Sequence, residues 1–101
     1  MSNCPGKIPA TNVNRVAKGK KYCMWLDFDG SQGIAVEIIG WRLSSDPTQP
    51  VEAPPQLKGM DPNYILLVKE ISTGTTLTIT DTHDNGGAMY YKTKRATFHE
   101  I

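Results

Sequence analysis

An indole and a carboxylate stand two positions apart in the segment Lys21 to Phe28, which makes them the first candidates for chemistry. If the segment is extended, Trp25 and Asp27 project from the same face, because alternate side chains of a strand point the same way. The indole could stack on an apolar surface while the carboxylate fixes hydroxyl or amine groups, so the pair predicts a ligand-binding surface. The alternative is that Trp25 packs under the N-terminal arm or the proline-rich loop, as large aromatic side chains are usually mostly buried.

Three further aromatic residues are candidates for such a surface. Tyr90 and Tyr91 are neighbours, so if both lie in a strand, one ring must point outward and can contact a partner. Trp41 lies in a second apolar segment. The predicted ligand-binding residues are therefore Trp25, Asp27, Trp41, Tyr90 and Tyr91.

A second constellation, Asp81 and His83, is the pattern of a carboxylate that orients an imidazole as a general base. The local sequence supplies no nucleophile, and the chain contains no nucleophile-elbow serine, no His-Glu-x-x-His and no phosphate-binding glycine loop. His99, near the end of the chain, is expected to cap or to face solvent. We predict a protein that is not an enzyme, with no catalytic residue and no cofactor.

Oxygen-rich side chains occur at two predicted turns, within residues 27–29 and 81–85. Calcium takes about six to eight oxygen ligands, and neither segment matches a full EF-hand loop. Asp, Asn and Gly are also the residues that turns require. We predict turns here and no metal site.

Basic residues cluster within residues 15–21 and 92–95, close to aromatic residues. Basic grooves with stacking aromatics bind single-stranded nucleic acid on small barrels. The chain has 11 basic and 10 acidic residues, a net charge of +1, and so no global field that attracts phosphate polymers. This balance argues against nucleic acid unless a local patch binds it, and lysines also protect sheet edges from pairing.

Hairpins connect the elements that position these residues. Turn signals occur at Asp29–Gly33, at Thr73-Gly74 and at Asp84–Gly87, where Asn-Gly suits a type I′ turn. The strands predicted around these turns are Lys21–Phe28, Ile34–Leu43, Tyr64–Ile71, Thr75–Thr82 and Ala88–Phe98. In the fourth of them, alternate threonines form a hydroxyl stripe typical of a solvated face.

Gly40 interrupts the alternation of the second strand. Ile34 and Ile38 share one face, and strict alternation would place Trp41 and Leu43 on the other. A β-bulge at Gly40 would add one residue and return Trp41 and Leu43 to the first face. The alternative is that both faces are covered, as in a barrel with a packed exterior.

Two segments are expected to lack strong strands. Residues 44–62 contain five prolines and a glycine, which excludes a central strand or a helix interior and indicates a long crossover loop. Residues 1–20 are predicted to be an irregular arm, with a short edge strand at Thr11–Val16 as an alternative. The predicted fold is all-β: one domain over residues 1–101, a small barrel or sandwich of about five to six mostly antiparallel strands, with meander hairpins and one long Pro-rich crossover loop.

The composition, 39% hydrophobic and 21% charged residues in 101, is that of one folded domain. No apolar run approaches the about 18 residues of a membrane span, and the first residues do not resemble a secretion signal, so we expect a cytoplasmic protein without a membrane partner. Cys4 and Cys23 are then expected to be reduced. Cys23 lies in an apolar strand pattern and is expected to be buried.

Taken together, these features favour a non-enzymatic binding module that presents an aromatic and acidic surface to a small molecule, a sugar or a protein partner. One alternative is a small barrel that binds single-stranded nucleic acid. The other is a self-associating structural or assembly protein that uses a sheet edge. The sequence leaves the oligomeric state open.

Overall fold

The structure is a computed structural model that describes residue 4 and residues 13–26, 33–52, 64–82 and 88–100. All regular secondary structure in these ranges is β-strand. The seven strands are β1 Lys21–Leu26, β2 Ile34–Leu43, β3 Asp46–Val51, β4 Tyr64–Glu70, β5 Thr76–Thr82, β6 Ala88–Tyr91 and β7 Lys94–Glu100.

Six of the strands form a closed antiparallel barrel, in the order β1, β7, β6, β5, β4, β2, with β1 and β2 pairing to close it. The strand β3 lies outside this ring and pairs with β2 alone. The predicted all-β class is confirmed, and the barrel is the correct form of the two that the sequence left open.

The predicted strand Ala88–Phe98 is two strands rather than one. Lys92 has φ 56°, in the left-handed region, and the chain reverses there between β6 and β7. Two register pairs, Tyr90 with Arg95 and Tyr91 with Lys94, hold this hairpin. The turn escaped prediction because it contains neither glycine nor asparagine, the residues that usually mark a two-residue hairpin turn.

The proline-rich segment also differs from the prediction, because it contains the strand β3. Pro47 and Pro50 lie within β3, which pairs with β2 on one side only. An edge strand tolerates proline, since the missing N–H is not required by a second neighbour. The segment is therefore not a central strand, as expected, but neither is it a loop throughout.

The predicted bulge in β2 is confirmed. The register of β2 against β4 shifts by one residue between Ile38 and Gly40. Gly40 has φ 146°, a conformation that residues with a side chain rarely adopt. The extra residue returns Trp41 to the barrel interior, where it is buried in the same cluster as Ile38.

The barrel interior is a single apolar cluster to which every strand of the ring contributes. The predicted alternation in β1 holds, since Tyr22 and Met24 lie in this cluster and Cys23 and Trp25 do not. The cluster consists of Tyr22, Met24, Val36, Ile38, Trp41, Leu66, Val68, Leu77, Ile79, Met89, Ala96 and Phe98.

A second buried layer lies on the outer face of β1 and β7. Cys23 pairs in register with His99 and Trp25 with Thr97, and all four side chains are buried. Oγ1 of Thr97 lies 3.0 Å from Nε2 of His99. The expectation that His99 caps or faces solvent was wrong, because the outer face of this part of the barrel is covered.

A disulfide bond between Cys4 and Cys23 ties residue 4 to this covered face. The expectation of a reduced pair was therefore wrong. Cys23 is fully buried, as predicted for its strand position. The bond explains part of the cover over β1, since it holds residue 4 against the outer face of that strand.

The described part of the arm, residues 13–20, contains no strand. Val13 donates its backbone N–H to the carbonyl of Phe98 at 2.7 Å, and Val13 and Val16 pack against the core. This contact lies beyond the residues of β7 that pair with β6. The arm thus shields an unpaired edge of the barrel.

Candidate functional site

The two adjacent tyrosines of β6 point to opposite sides of the sheet. Tyr91 packs against the core, and Nζ of Lys92 lies 5.5 Å from the centroid of its ring. Tyr90 is half-buried and is not part of the core. Tyr90 is therefore the outward ring that the sequence required.

Tyr90 belongs to a row of outward side chains that crosses five neighbouring strands. The registers pair Arg42 with Ile65, Ile65 with Thr80, Thr80 with Tyr90, and Tyr90 with Arg95. We call these five residues the Tyr90 row. Neighbouring strands are about 4.8 Å apart, so Arg42 and Tyr90 are separated by about 14 Å along the barrel surface.

The centre of the Tyr90 row is closed to contact, whereas its flanks are more open. Ile65 is only 7% exposed although it points outward. Arg42, Thr80 and Tyr90 are half-buried and Arg95 is exposed. A ligand on this face would therefore meet Arg42 on one side of Ile65 and the ring of Tyr90 on the other.

Hydrogen bonds to backbone carbonyls lie beside both contact groups. Nη1 of Arg42 donates to the carbonyl of Trp41 at 2.8 Å, which fixes the guanidinium over the β2 bulge. Oγ1 of Thr80 donates to the carbonyl of Tyr90 at 3.4 Å, linking β5 to β6 beside the ring. The hydroxyl stripe of β5 continues along the strand from Thr80 to Thr78 and Thr76, which are exposed as predicted.

Trp25, the first predicted site residue, is 1% exposed and lies on no open surface. A Cβ on Gly33 would stand 2.8 Å from Cε2 and Nε1 of the indole, so Gly33 packs directly on the ring. Cys4 lies at the same place, since its Cβ is 3.0 Å from that point. The prediction of a surface indole was wrong, because the disulfide and Gly33 cover the ring. The alternative given with it, a buried Trp25, is the one observed. Nε1 of Trp25 has no hydrogen-bond partner among the described residues.

The other predicted site residues do not lie together on one surface either. Trp41 is 5% exposed in the barrel interior, because the bulge turned it inward, so its assignment to a ligand surface was wrong. Asp27 lies outside the described residues, as does His83. The predicted set is therefore not brought together, and Tyr90 is the member that lies on the outer face beside polar neighbours.

The sequence did not indicate Arg42 as a site residue. The feature that could have indicated it is its position two residues after Gly40. The bulge at Gly40 places Arg42 opposite Ile65, and hence in the Tyr90 row. No sequence pattern states which residue of β4 stands opposite Arg42, so the row emerges only once the register is known.

Within the described ranges, no group of three or more histidine, cysteine and carboxylate side chains is placed to hold a metal ion. The same ranges contain no helix long and apolar enough to cross a membrane. Comparisons with protein-family models, with curated proteins and with solved structures found no match to this chain.

Proposed function

We propose that the protein is a non-enzymatic binding module and that the Tyr90 row is its binding face. The observation that carries this proposal is the outward ring of Tyr90 in one register line with Arg42. An aromatic face and a guanidinium are the side chains most enriched at energetically important contact positions. The guanidinium is anchored to the carbonyl of Trp41, which reduces the entropy that binding must oppose.

The spacing of the row favours an extended ligand over a compact one. The about 14 Å between Arg42 and Tyr90 exceeds the reach of a single sugar ring or a free amino acid. A chain of several units, such as an oligosaccharide, a peptide or an oligonucleotide, is long enough to contact both flanks of the row at once. We therefore expect a ligand that has a planar or apolar unit to stack on Tyr90 and an anionic or hydroxyl group to accept hydrogen bonds from Arg42.

A thermal-shift screen tests the proposal with a panel of oligosaccharides, peptides, nucleotides and oligonucleotides. A compound that binds the folded state raises the melting temperature by mass action. Each compound that raises it is then titrated calorimetrically into wild type and into Tyr90→Ala. We expect Tyr90→Ala to weaken binding at least tenfold, since losing a hot-spot ring costs about 2 kcal/mol or more.

Thr76→Ala is the matched control, because Thr76 is exposed on the outer face of β5 but lies outside the row. We expect it to leave affinity unchanged, and Tyr90→Phe to keep most of it by retaining the ring. Equal affinity of wild type and Tyr90→Ala for every compound that binds would refute the Tyr90 row as the binding face.

A further inference from the structure

Two cationic side chains converge on Gly40 at the β2 bulge. A Cβ on Gly40 would stand 3.2 Å from Nη1 of Arg42 and 3.9 Å from Cδ and Cε of Lys18. Lys18 comes from the N-terminal arm and Arg42 from β2, so two separate segments place like charges around one glycine. Gly40 has no side chain of its own to separate the two cationic side chains.

No carboxylate neutralises this pair in the described part of the protein. Lys18 and Arg42 form no ion pair there, and the guanidinium of Arg42 donates a hydrogen bond to the backbone carbonyl of Trp41. Glu52 follows Val51, the β3 residue that pairs with Trp41, and it is exposed and forms no ion pair with Lys18 or Arg42. Like charges held close together repel, so an anion placed between them would be favourable.

The backbone at the bulge is also incompletely paired. On this edge of β2, the segment leading into β1 bonds to Ile38, and β3 begins its pairing at Trp41. The described strands therefore leave residues 39–40 without a register partner on this edge. The bulge itself lies in the pairing of β2 with β4, on the other edge of the strand, so the bulge and this unpaired stretch of the described strands coincide at residues 39–40. Bulges are over-represented next to active sites.

We propose that the Gly40 bulge, with Lys18 and Arg42, is a phosphate-binding subsite for single-stranded nucleic acid that crosses the barrel toward Tyr90. This inference rests on the proposed function, because it names the ligand of the same face. Arg42 belongs to both the bulge and the Tyr90 row, so an anion at the bulge lies at one end of that row.

The separation of charge and ring selects this ligand. A free phosphate or a carboxylate can occupy the bulge but cannot reach Tyr90, about 14 Å away. A single strand carries repeated phosphates and planar bases on one chain, so it can place a phosphate at the bulge and stack a base on the tyrosine. The balanced net charge requires that this local patch, rather than a global field, supplies the attraction.

Fluorescence anisotropy with a labelled single-stranded oligothymidylate tests the proposal, between about 50 and 200 mM salt. Wild type should bind with an affinity that falls as salt rises. Each phosphate contact contributes about 0.7 to the slope of log affinity against log salt for a single strand, so Lys18→Gln and Arg42→Gln should each reduce that slope by about 0.7. Tyr90→Ala should weaken binding between about 5-fold and 150-fold without changing the slope.

Lys21→Gln is the matched control, since it removes an equal charge from an exposed lysine of β1, and it should leave the slope unchanged. Arg42→Lys keeps the charge and should keep the slope even if the lost bond to Trp41 lowers stability. Glu52→Gln should strengthen binding at low salt, because it removes a negative charge near the bound phosphate.

Several results would overturn the subsite. One is that wild type does not bind oligothymidylate at about 50 mM salt. Another is that the salt slope is unchanged in both Lys18→Gln and Arg42→Gln. The third is that heparin, which offers charge without bases, displaces the labelled oligonucleotide as well as unlabelled oligothymidylate does. If another compound of the panel binds and Tyr90→Ala weakens that binding, while the oligonucleotide does not bind, the Tyr90 row is supported as the binding face and the phosphate subsite is refuted.

Discussion

The disulfide between Cys4 and Cys23 makes a quantitative prediction for stability. Replacing Cys4 with alanine releases the N-terminal arm from β1 without touching the barrel interior, because Cys23 lies on the outer face. Cys4 is also the contact that stands beside Gly33 over the indole of Trp25. The variant therefore removes both a covalent link and part of the cover of the outer layer.

The length of the closed loop sets the magnitude. The two cysteines are 19 residues apart in sequence. In the chain-entropy treatment a loop of this size gives about 3 kcal/mol of stabilisation at room temperature. For a chain of this length such a loss lowers Tm by about 15 °C, given an unfolding entropy of about 2 cal/mol/K per residue.

Urea unfolding of wild type and Cys4→Ala, each with and without dithiothreitol, measures the effect. We expect oxidised wild type to be about 3 kcal/mol more stable than both reduced wild type and the variant. Cys4→Ala is its own control for side effects of the reductant, since it has no disulfide to lose. Identical midpoints for oxidised and reduced wild type would show that the arm is not covalently held, and the account of the covered outer face would fail.

Three other predictions concern the packing of the barrel. Gly33→Ala should destabilise the protein by about 2–3 kcal/mol through overpacking against Trp25. Gly19→Ala, at φ 82° with open space around it, should cost only about 1 kcal/mol of backbone strain. Chemical denaturation compares the two variants, and a loss in Gly33→Ala no larger than that in Gly19→Ala would contradict the contact. Phe98→Ala should cost about 3–5 kcal/mol in the same assay, since the ring is 1% exposed in the core, and a loss below about 1 kcal/mol would be incompatible with that packing. Acrylamide should quench tryptophan fluorescence weakly in the folded state, because Trp25 and Trp41 are both buried, and quenching as strong as in urea would place an indole on the surface.

The sequence predicted the strands best where local chemistry and periodicity agree. The alternation of β1 and the role of Gly40 were readable because a glycine stands where the apolar period breaks, and both were confirmed. The turn at Lys92 was not readable, because its left-handed conformation is imposed by the pairing of Tyr90 with Arg95 rather than by a glycine. The edge strand β3 was missed because the prolines, which exclude a central strand or a helix interior, were interpreted as a long loop, whereas an edge strand with one free side tolerates them.

The candidate site was less predictable, since it depends on which residues become neighbours across strands. Trp25 was expected on a surface because alternation places it opposite the core, and that placement is correct. What alternation does not show is that residue 4 returns to cover this face through Cys23. The alignment of Arg42 with Tyr90 likewise depends on three successive registers that no local pattern fixes.

The disulfide also bears on where the protein acts. The cytoplasmic expectation was accompanied by the expectation of reduced cysteines, and that second expectation was wrong. Disulfides persist mainly in oxidising compartments. The location therefore stays a prediction, and it no longer has the support of reduced cysteines.

Amide chemical-shift mapping tests the binding face most directly. Isotope-labelled wild type is titrated with the compound of the thermal-shift panel that raises Tm most. We expect the largest shifts at the amides of Arg42, Thr80 and Tyr90 and of their strand neighbours. Shifts confined to the covered outer layer around Thr97 and His99, with none at Arg42, Thr80 or Tyr90, would contradict it.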